Sequence, residues 1–431
     1  MTAPGAATGG RIGGARWIVA GLLFSAMVFN YFDRQMLAVL KPSLSAEMHW
    51  RETQYADMVF WFQAAYAISY LGFGRIVGWI GARWGMATTY LIWSIAQIGH
   101  GAARGVSDFI LARALLGVGE GGAYPSGLTA IAEWFPQKER AFATGLFNAG
   151  VNVGAIVTPL VVPKVVLALG WRAAFMLTGA VSLAWLALWL VFYRAPERHK
   201  GLSEAERAHI QADPVDTGPA IGWLKLLTLR ETWAYAAGKF IIDPIWWMFL
   251  FWLPDFLAKR YGLDLKTFGP PLVAIYLMSD AGNLVGGWAS SAMIRRGLSV
   301  NWSRKITMLV CALLAMPVAF AGEARQLWVA VGIIGLATAA HQAFSVNIFT
   351  LPSDLFPRRA IGSVVGIGGA LGAVGGMAMA KYAGWVLERV GSYTPIFIVA
   401  ASAYLLALLV IHLASPRLTP VRDAGAGAGA G

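Results

Sequence analysis

Twelve apolar stretches separated by short polar segments follow one another along the chain. Their lengths lie near the roughly 20 residues that a helix needs to cross a bilayer core. Lipid offers no hydrogen bonds to a bare backbone, so apolar stretches of this kind fold as helices. The predicted spans are 17–40, 54–76, 85–101, 107–130, 141–164, 172–193, 232–258, 269–293, 305–321, 326–351, 361–386 and 394–414. The pattern predicts an all-α membrane protein with twelve transmembrane helices.

The longest polar stretch, 194–231, is rich in charge and proline and divides the spans into two sets of six. We therefore predict an N-terminal half over 17–193, a cytoplasmic central loop over 194–231 and a C-terminal half over 232–414. A short N-terminal tail covers 1–16. The C-terminal tail, 415–431, ends in GAGAGAG and is predicted to be disordered because its composition is of low complexity.

A repeated motif supports two related halves. Phe135-Pro136 precedes a run of small residues at the start of span five, and Phe356-Pro357 precedes a similar run at the start of span eleven. The two phenylalanines are 221 positions apart, about half of the chain. Parallel halves related by an axis along the membrane normal would produce this repeat.

Charge sets the class of protein and its orientation. Only 13% of the residues are charged and the mean hydropathy is +0.60, whereas soluble domains carry about 25% charged residues. The net charge of +12 does not indicate a nucleic-acid binder, because the basic residues stand singly between apolar runs. Twenty of the 34 Lys and Arg residues fall on the side of the two termini and ten on the other. This bias predicts cytoplasmic N- and C-termini.

Charged residues deep within spans are rare and usually functional. The candidates are Asp33, Arg34, Arg113, Glu120, Lys239, Asp243, Asp280 and Lys381. The alternative for each is a structural ion pair or a side chain that reaches the interface. Asp33 and Arg34 point about 100° apart on a helix, so one can face a substrate while the other faces a second helix. Glu120 lies in the middle of span four and is a candidate proton carrier, with Arg113 two turns away on the same face.

Span seven combines charge, proline and tryptophan. Lys239 and Asp243 are four residues apart, the spacing of an intrahelical ion pair. Pro244 should weaken the helix there, and interrupted spans often line substrate cavities. Trp247 offers an apolar face to a sugar ring, although tryptophan is also common in interfacial belts.

Uncharged polar residues also cluster within spans and predict a lining that binds hydroxyl groups. Individually, each is equally explained by hydrogen bonding between helices. They are Tyr66 in span two, Asn148 and Asn152 in span five, and Gln342, Ser345, Asn347 and Thr350 in span ten.

Chemistry of other kinds has no visible motif. Gly117-x-Gly119-x-x-Gly122 follows no predicted strand, so it indicates close helix packing rather than nucleotide binding. No metal-ligand spacing or nucleophile motif is present, and we expect neither enzymatic activity nor a cofactor. The single cysteine, Cys311, is read as a packing residue.

Several of these stretches resemble a known family. NYFDRQ at 30–35, RALLGVGEGGAYPSG at 113–127 and EWFPQKERAFATGLFNAGVNVGA at 133–155 resemble the anion:cation symporter branch of the major facilitator superfamily. KFIIDPIWWMFLFWLPDFL at 239–257 and the segment at 341–377 look most like bacterial hexuronate transporters within that branch. The resemblance covers nearly the whole chain except the tails.

The resemblance implies proton-coupled import of a sugar acid, a hexuronate such as galacturonate or glucuronate, across a bacterial inner membrane. By position, Asp33 and Glu120 match the family's protonatable acids, and Arg34 matches its carboxylate-binding arginine. The other matches are Arg113 with the span-four arginine, Tyr31 and Tyr66 with cavity tyrosines and, more loosely, Asn347 and the span-seven residues. One departure concerns the loop after span two. Gly78 and Trp79 stand where the family has charged residues that latch the cytoplasmic side.

Three alternatives remain open at the level of sequence. A symporter of hexonates or aldarates, such as gluconate, galactonate or galactarate, would need the same carboxylate chemistry. An efflux antiporter would share the fold, and a membrane sensor would bind a sugar acid without moving it. The expected partners are a small sugar-acid anion, protons and membrane lipid, and the expected state is a monomer.

Overall fold

The structure is a computed structural model that describes residues 14–199, 201–210 and 222–421. In these ranges it contains helices and connecting segments but no strand. The helices are α1 (Ala15–Met48), α2 (Glu52–Ala102), α3 (Val106–Trp134), α4 (Gln137–Phe192), α5 (Glu204–Ile210), α6 (Trp223–Leu227), α7 (Arg230–Tyr261), α8 (Gly269–Arg295), α9 (Val300–Ala315), α10 (Leu327–Leu355), α11 (Arg358–Arg389) and α12 (Thr394–Ala414). Short 3₁₀ segments cover Pro196–Arg198 and Met316–Glu323, the second of which continues α9.

Two of these helices each contain two membrane segments. With 51 and 56 residues, α2 and α4 would each exceed twice the ~30 Å bilayer core if they were straight. Their helical dihedrals break at Gly81 (φ 75°, ψ 165°) and Gly170 (φ 80°, ψ 162°). Glycine takes this positive φ without the steric penalty of a side chain. The described chain therefore has twelve membrane segments, as predicted.

Glycines with positive φ recur at three further connections, the first being Gly262 (φ 66°) between α7 and α8. Gly297 (φ 92°) lies between α8 and α9, and Gly391 (φ 69°) lies between α11 and α12. The twelve membrane segments can be taken as four consecutive groups of three. Gly81, Gly170, Gly297 and Gly391 each lie between the second and third segments of one group.

Hydropathy alone identifies fewer spans than the fold contains. Seven of the described helices are long and apolar enough to cross a membrane by length and composition. The helix α3 is not among them and carries the buried residues Arg113 and Glu120. Polar residues that face the interior thus lower the hydropathy of segments that pack as part of the bundle.

The six segments of α1 to α4 form one half and the six of α7 to α12 form the other. The halves meet where α2 packs on α11, α1 on α7 and α4 on α8. The repeated motif has the same backbone in both halves. Phe135 and Phe356 end their helices with φ −121° and −120°, and Pro136 and Pro357 follow with φ −62° and −63°. The predicted repeat is confirmed at the level of local structure.

The glycines of α3 allow two other segments to approach closely. A Cβ at Gly117 would lie 2.3 Å from the Phe62 carbonyl oxygen, in the first segment of α2. A Cβ at Gly119 would lie 2.6 Å from the Trp93 backbone nitrogen, in the second segment. Since only a glycine leaves room at these positions, close helix packing accounts for the motif.

Two expectations are corrected. Pro244 does not interrupt α7, which runs from Arg230 to Tyr261. Its ring packs against Gly375 of α11, and neighbouring helices let membrane helices tolerate proline. Residues 415–421, assigned to a disordered tail, instead pack on the C-terminal half. Val421 donates a backbone hydrogen bond to the Leu355 carbonyl at 2.8 Å. Residues 422–431 and most of the N-terminal tail lie outside the described residues.

Ion pairs join the two halves at one end of the bundle, which we call the Lys41 end. Lys41 Nζ lies 2.7 Å from Glu52 Oε2 and 2.7 Å from Asp255 Oδ2. Lys259 pairs with the same two carboxylates. Because Lys41 and Glu52 belong to one half and Asp255 and Lys259 to the other, the cluster holds α1, α2 and α7 together.

Two further pairs between α2 and α11 lie around this cluster. Lys381 pairs with Asp57, and Arg51 Nη1 lies 3.8 Å from Glu388 Oε1. At the opposite end, the pairs Arg16–Glu139 and Arg304–Asp354 each lie within one half. Ion pairs between the two halves therefore close the Lys41 end in this structure.

Substituting Gly117 by Ala should destabilise the protein, because the added methyl group must displace the Phe62 backbone. Gly99→Ala is the matched control, since a Cβ there meets nothing within 4 Å and alanine favours helix by about 1 kcal/mol. Thermal unfolding in detergent should show a lower Tm for Gly117→Ala and an equal or higher Tm for Gly99→Ala. Equal Tm values for the two variants would contradict the packing interpretation.

Lys41→Gln should open the Lys41 end, because Glu52 and Asp255 then share only one cation. Spin labels at Ala46 and Lys266, on a Cys311→Ser background, would report the distance between the halves. We expect the distance distribution to shift to longer values in Lys41→Gln. In the control Arg51→Gln it should stay unchanged, because the Arg51 side chain is 67% exposed and exposed pairs contribute little. Identical distributions in both variants would count against a closing role.

Candidate functional site

A buried arginine lies at the centre of the N-terminal half, next to α7. Arg34 Nε lies 2.7 Å from Glu120 Oε2, and Arg34 Nη2 donates to Asn30 Oδ1 at 2.8 Å. The two charged residues are 3% and 1% exposed. In such a poorly solvated place a guanidinium needs an anionic partner, and Glu120 supplies it.

Four aromatic rings surround the Arg34 guanidinium. Its Cζ lies 4.6 Å from the centre of the Tyr31 ring, 5.1 Å from Tyr66, 5.5 Å from Phe62 and 5.3 Å from Trp247. The faces of these rings attract a cation. Three rings come from the N-terminal half, and Trp247 comes from α7. The arginine site is therefore shared by the two halves.

A second buried cation lies beside the first. Arg113 Nη1 donates to the Arg34 carbonyl oxygen at 3.1 Å, and the residue is 2% exposed. Its Nε and Nη2 atoms find no hydrogen-bond partner among the described residues. Buried donors are normally satisfied, so these open donors next to Arg34 favour an anion as the missing partner.

Asp33 faces the other side of α1. Its carboxylate accepts hydrogen bonds from Trp93 Nε1 at 2.7 Å, Gln97 Nε2 at 2.9 Å and Ser182 Oγ at 3.2 Å. It is 1% exposed, and within the described ranges no cation pairs with it. The structure thus places Asp33 and Arg34 in separate environments, as the helical geometry of adjacent residues requires.

The charged residues of α7 form an internal pair. Lys239 Nζ lies 2.8 Å from Asp243 Oδ2 and 3.8 Å from the centre of the Phe349 ring. Asp243 packs against Gly372 of α11, where a Cβ would be 2.2 Å from Oδ2. Asp243 lies one helical turn before Trp247, the α7 residue that contacts Arg34. The structure shows the Lys239–Asp243 pair neutralised.

Two predicted binding residues of span ten have other contacts. The Asn347 amide accepts from Arg304 Nη1 at 3.3 Å and donates to the carbonyls of Gly286 and Ala343 at 3.3 Å and 2.8 Å. Thr350 donates to the Asn347 carbonyl. The bonds of Asn347 join α8, α9 and α10, and the bond of Thr350 stays within α10. Among the described residues, neither side chain forms a hydrogen bond with Arg34.

The remaining predicted residues are partly buried. Asn148 lies beside Tyr124, and Gly154, two residues after Asn152, packs against Tyr31. Asn148 and Asn152 are four residues apart on α4, and Gln342 lies on α10 with Asn347. Tyr31, Arg34, Tyr66, Arg113, Glu120 and Trp247 are the predicted residues that the structure brings together.

Sequence reasoning missed several residues of the site. Phe62 completes the aromatic ring set, and Trp93, Gln97 and Ser182 bind Asp33. Gln63 lies three residues before Tyr66 on the same helix, a spacing that identifies a shared face. At the Lys41 end, Lys381 was among the sequence candidates and pairs with Asp57. The four charges of the central cluster there gave no signal, because charged residues are common where a span ends.

The departure at Gly78 and Trp79 persists in the structure. The Trp79 side chain is 81% exposed, and the space beside Gly78 is open. Neither residue supplies a charge for a latch at this loop.

An all-helical bundle of twelve membrane segments in two halves, with a buried charged site between them, defines a multi-pass membrane transporter. The Major Facilitator Superfamily profile matches residues 23–380. The hexuronate transporter of Escherichia coli (strain K12) is 30% identical over 93% of this chain and 94% of its own. The galacturonate transporter of Dickeya chrysanthemi is 32% identical over 81% of this chain and 99% of its own.

The fold agrees with a solved structure of a distant transporter. An inward-facing, occupied bacterial homologue of the human lysosomal transporter Spinster superposes with a TM-score of 0.70 at 16% identity, over 93% of this chain and 96% of its own. The chain belongs to the major facilitator superfamily.

Breaking the Arg34–Glu120 pair should be costly. Removing one partner of a buried pair typically destabilises by about 3–5 kcal/mol, because the other charge is left uncompensated. Arg34→Gln and Glu120→Gln should each lower the free energy of unfolding in detergent, and the double variant should lose less than their sum. The same cycle with Lys239→Gln and Asp243→Asn should show weaker coupling, because the Asp243 side chain is 18% exposed. Additive losses at Arg34 and Glu120 would argue against the pair.

Proposed function

We propose that the protein imports a sugar acid together with protons across a bacterial inner membrane, with a hexuronate such as galacturonate or glucuronate as substrate. The observation that carries the proposal is the Arg34 guanidinium, buried among aromatic rings of both halves with Glu120 as its carboxylate partner. Relatives named as hexuronate and galacturonate transporters support the choice of substrate.

The substrate carboxylate would bind at Arg34. A guanidinium offers a planar fork of donors that matches a carboxylate in two parallel hydrogen bonds. The unpaired donors of Arg113 would supply additional positive charge. Tyr66 and Trp247 would contact the apolar face of a sugar ring, which stacks well on aromatic side chains.

Glu120 would link the proton to the substrate. While it is ionised, Glu120 occupies the Arg34 fork and competes with the substrate carboxylate. When it takes up a proton, Arg34 loses its counter-ion and favours an incoming anion. Proton and substrate would therefore each raise the affinity for the other, which is the reciprocity that coupling requires.

Asp33 is proposed as a second protonatable group. Its carboxyl accepts hydrogen bonds from the neutral donors Trp93, Gln97 and Ser182. The first two belong to the second segment of α2 and the third to the second segment of α4. A change in its charge would alter how these segments pack against α1.

Alternating access would proceed by exchange of contacts between the halves. With both termini in the cytoplasm, the Lys41 end faces outward, and the structure corresponds to a state closed to the outside. Opening that end requires the pairs of Lys41 and Lys381 with the opposite half to separate. Trp247 moves with the C-terminal half and would carry the change to Arg34.

Uptake of labelled galacturonate into proteoliposomes tests the proposal. An inward proton gradient should drive accumulation above the equilibrium level, and unlabelled glucuronate should compete best. Glu120→Gln should abolish the response to the gradient while leaving exchange of internal for external substrate measurable.

Competition by other acids separates the alternatives. Gluconate, galactonate or galactarate competing better than glucuronate would keep the mechanism and change the substrate. Binding without accumulation would contradict transport, and accumulation that ignores the gradient would contradict proton coupling.

A further inference from the structure

Gln63 is a buried amide that no described residue satisfies. It lies in the first segment of α2 and is 1% exposed. Neither its Oε1 nor its Nε2 has a hydrogen-bond partner in the part of the chain that the structure describes. A buried polar group left unsatisfied costs about 1–3 kcal/mol, so this amide needs a functional or solvent partner.

The Gln63 amide lies at the boundary between the two halves. A Cβ at Gly376 of α11 would be 1.9 Å from Gln63 Oε1 and 3.0 Å from Trp247 Cδ1. The absence of a side chain at Gly376 thus leaves room for the amide. Residues from α2, α7 and α11 meet at this point.

Trp247 connects the amide to the arginine site. Its ring centre lies 5.3 Å from Arg34 Cζ and 6.2 Å from the Tyr66 ring centre. The indole therefore borders the guanidinium and, through its Cδ1 edge at Gly376, the Gln63 amide. A molecule lying on the Trp247 ring would present one end to Arg34 and another part to Gln63.

The chemistry of the amide restricts that part of the molecule. Gln63 offers an acceptor in Oε1 and a donor in Nε2. A carboxylate has only acceptors and would leave Oε1 unpaired, whereas a hydroxyl group both donates and accepts. Two neighbouring hydroxyl groups would satisfy both atoms of the amide at once.

We propose that Gln63 binds hydroxyl groups of the substrate and determines the preference of the transporter for polyhydroxylated acids over plain carboxylates. This inference rests on the proposed function, because it places the carboxylate of the same molecule at Arg34. It assigns to Gln63 the hydroxyl recognition that the sequence suggested for Asn347, whose amide is engaged within the C-terminal half.

Gln63→Leu tests the inference in proteoliposomes. The probes are galacturonate and tetrahydropyran-2-carboxylate, which keeps the ring and the carboxylate but lacks the hydroxyl groups. Losing one hydrogen-bonding group should weaken the affinity for galacturonate, measured as competition with labelled uptake, by about 10- to 100-fold. This factor is equivalent to about 1.4–2.8 kcal/mol. Competition by tetrahydropyran-2-carboxylate should change by less than about twofold, because that probe does not use the amide.

A stability measurement separates recognition from a structural role. Removing an unpaired buried amide should leave the Tm without substrate unchanged or higher, since no native hydrogen bond is lost. Gln35→Leu is the control, because Gln35 is also 1% exposed and its amide lacks hydrogen-bond partners in the described ranges, while its neighbour is Tyr276 of α8 and not Trp247. Its selectivity between the two probes should equal that of the wild type.

Gly376→Ala provides a second variant that keeps the amide but displaces it. It should reduce galacturonate competition more than tetrahydropyran-2-carboxylate competition, even if Gln63→Leu cannot be purified. A wild type that carries no sugar acid would overturn the proposed function. If the wild type carries galacturonate but the variants at Gln63 and Gly376 affect both probes equally, or affect neither, only the role of Gln63 is overturned.

Discussion

A positive charge held permanently in the interior is the constraint on which the rest of the structure depends. The Arg34 guanidinium does not lose its proton inside a protein, so at every moment something must compensate it. In the structure this is Glu120, assisted by the aromatic faces of Tyr31, Tyr66 and Trp247. In the proposed cycle a substrate carboxylate takes over when Glu120 is protonated. The number of negative charges at the site then stays constant while their identity changes.

Residues of both halves surround this charge. Arg34, Glu120 and Arg113 all belong to the N-terminal half, yet the cation is enclosed only with Trp247 from α7. At the Lys41 end, Lys41 lies between a carboxylate of its own half and one of the other. The central and the peripheral cation thus each contact a residue of the opposite half.

The sequence predicted the features that depend on a short stretch of chain and the bilayer alone. Bilayer thickness and backbone hydrogen bonding determine where spans lie, so all twelve segments and the Phe-Pro junctions could be predicted. Asp33, Arg34 and Glu120 stood out because charge within a span is rare. Depth in the membrane does not reveal which way a helix is rotated, however. Asn347 therefore looked like a cavity residue although its amide links α10 to α8 and α9, and Gln63 and the partners of Lys41 were not recognised.

The positive-φ glycines at Gly81, Gly170, Gly297 and Gly391 have a consequence for how the protein is made. At each of them the chain ends one membrane segment and begins the next with a backbone conformation that glycine adopts without help from distant contacts. The reversal of the chain at these points is therefore set by local backbone geometry as the protein is synthesised. Packing is a separate step, because α11 and α12 hardly touch each other and α12 rests mainly on α7 and on the 3₁₀ segment that continues α9. The turns are thus local, whereas each segment finds its neighbours across the bundle.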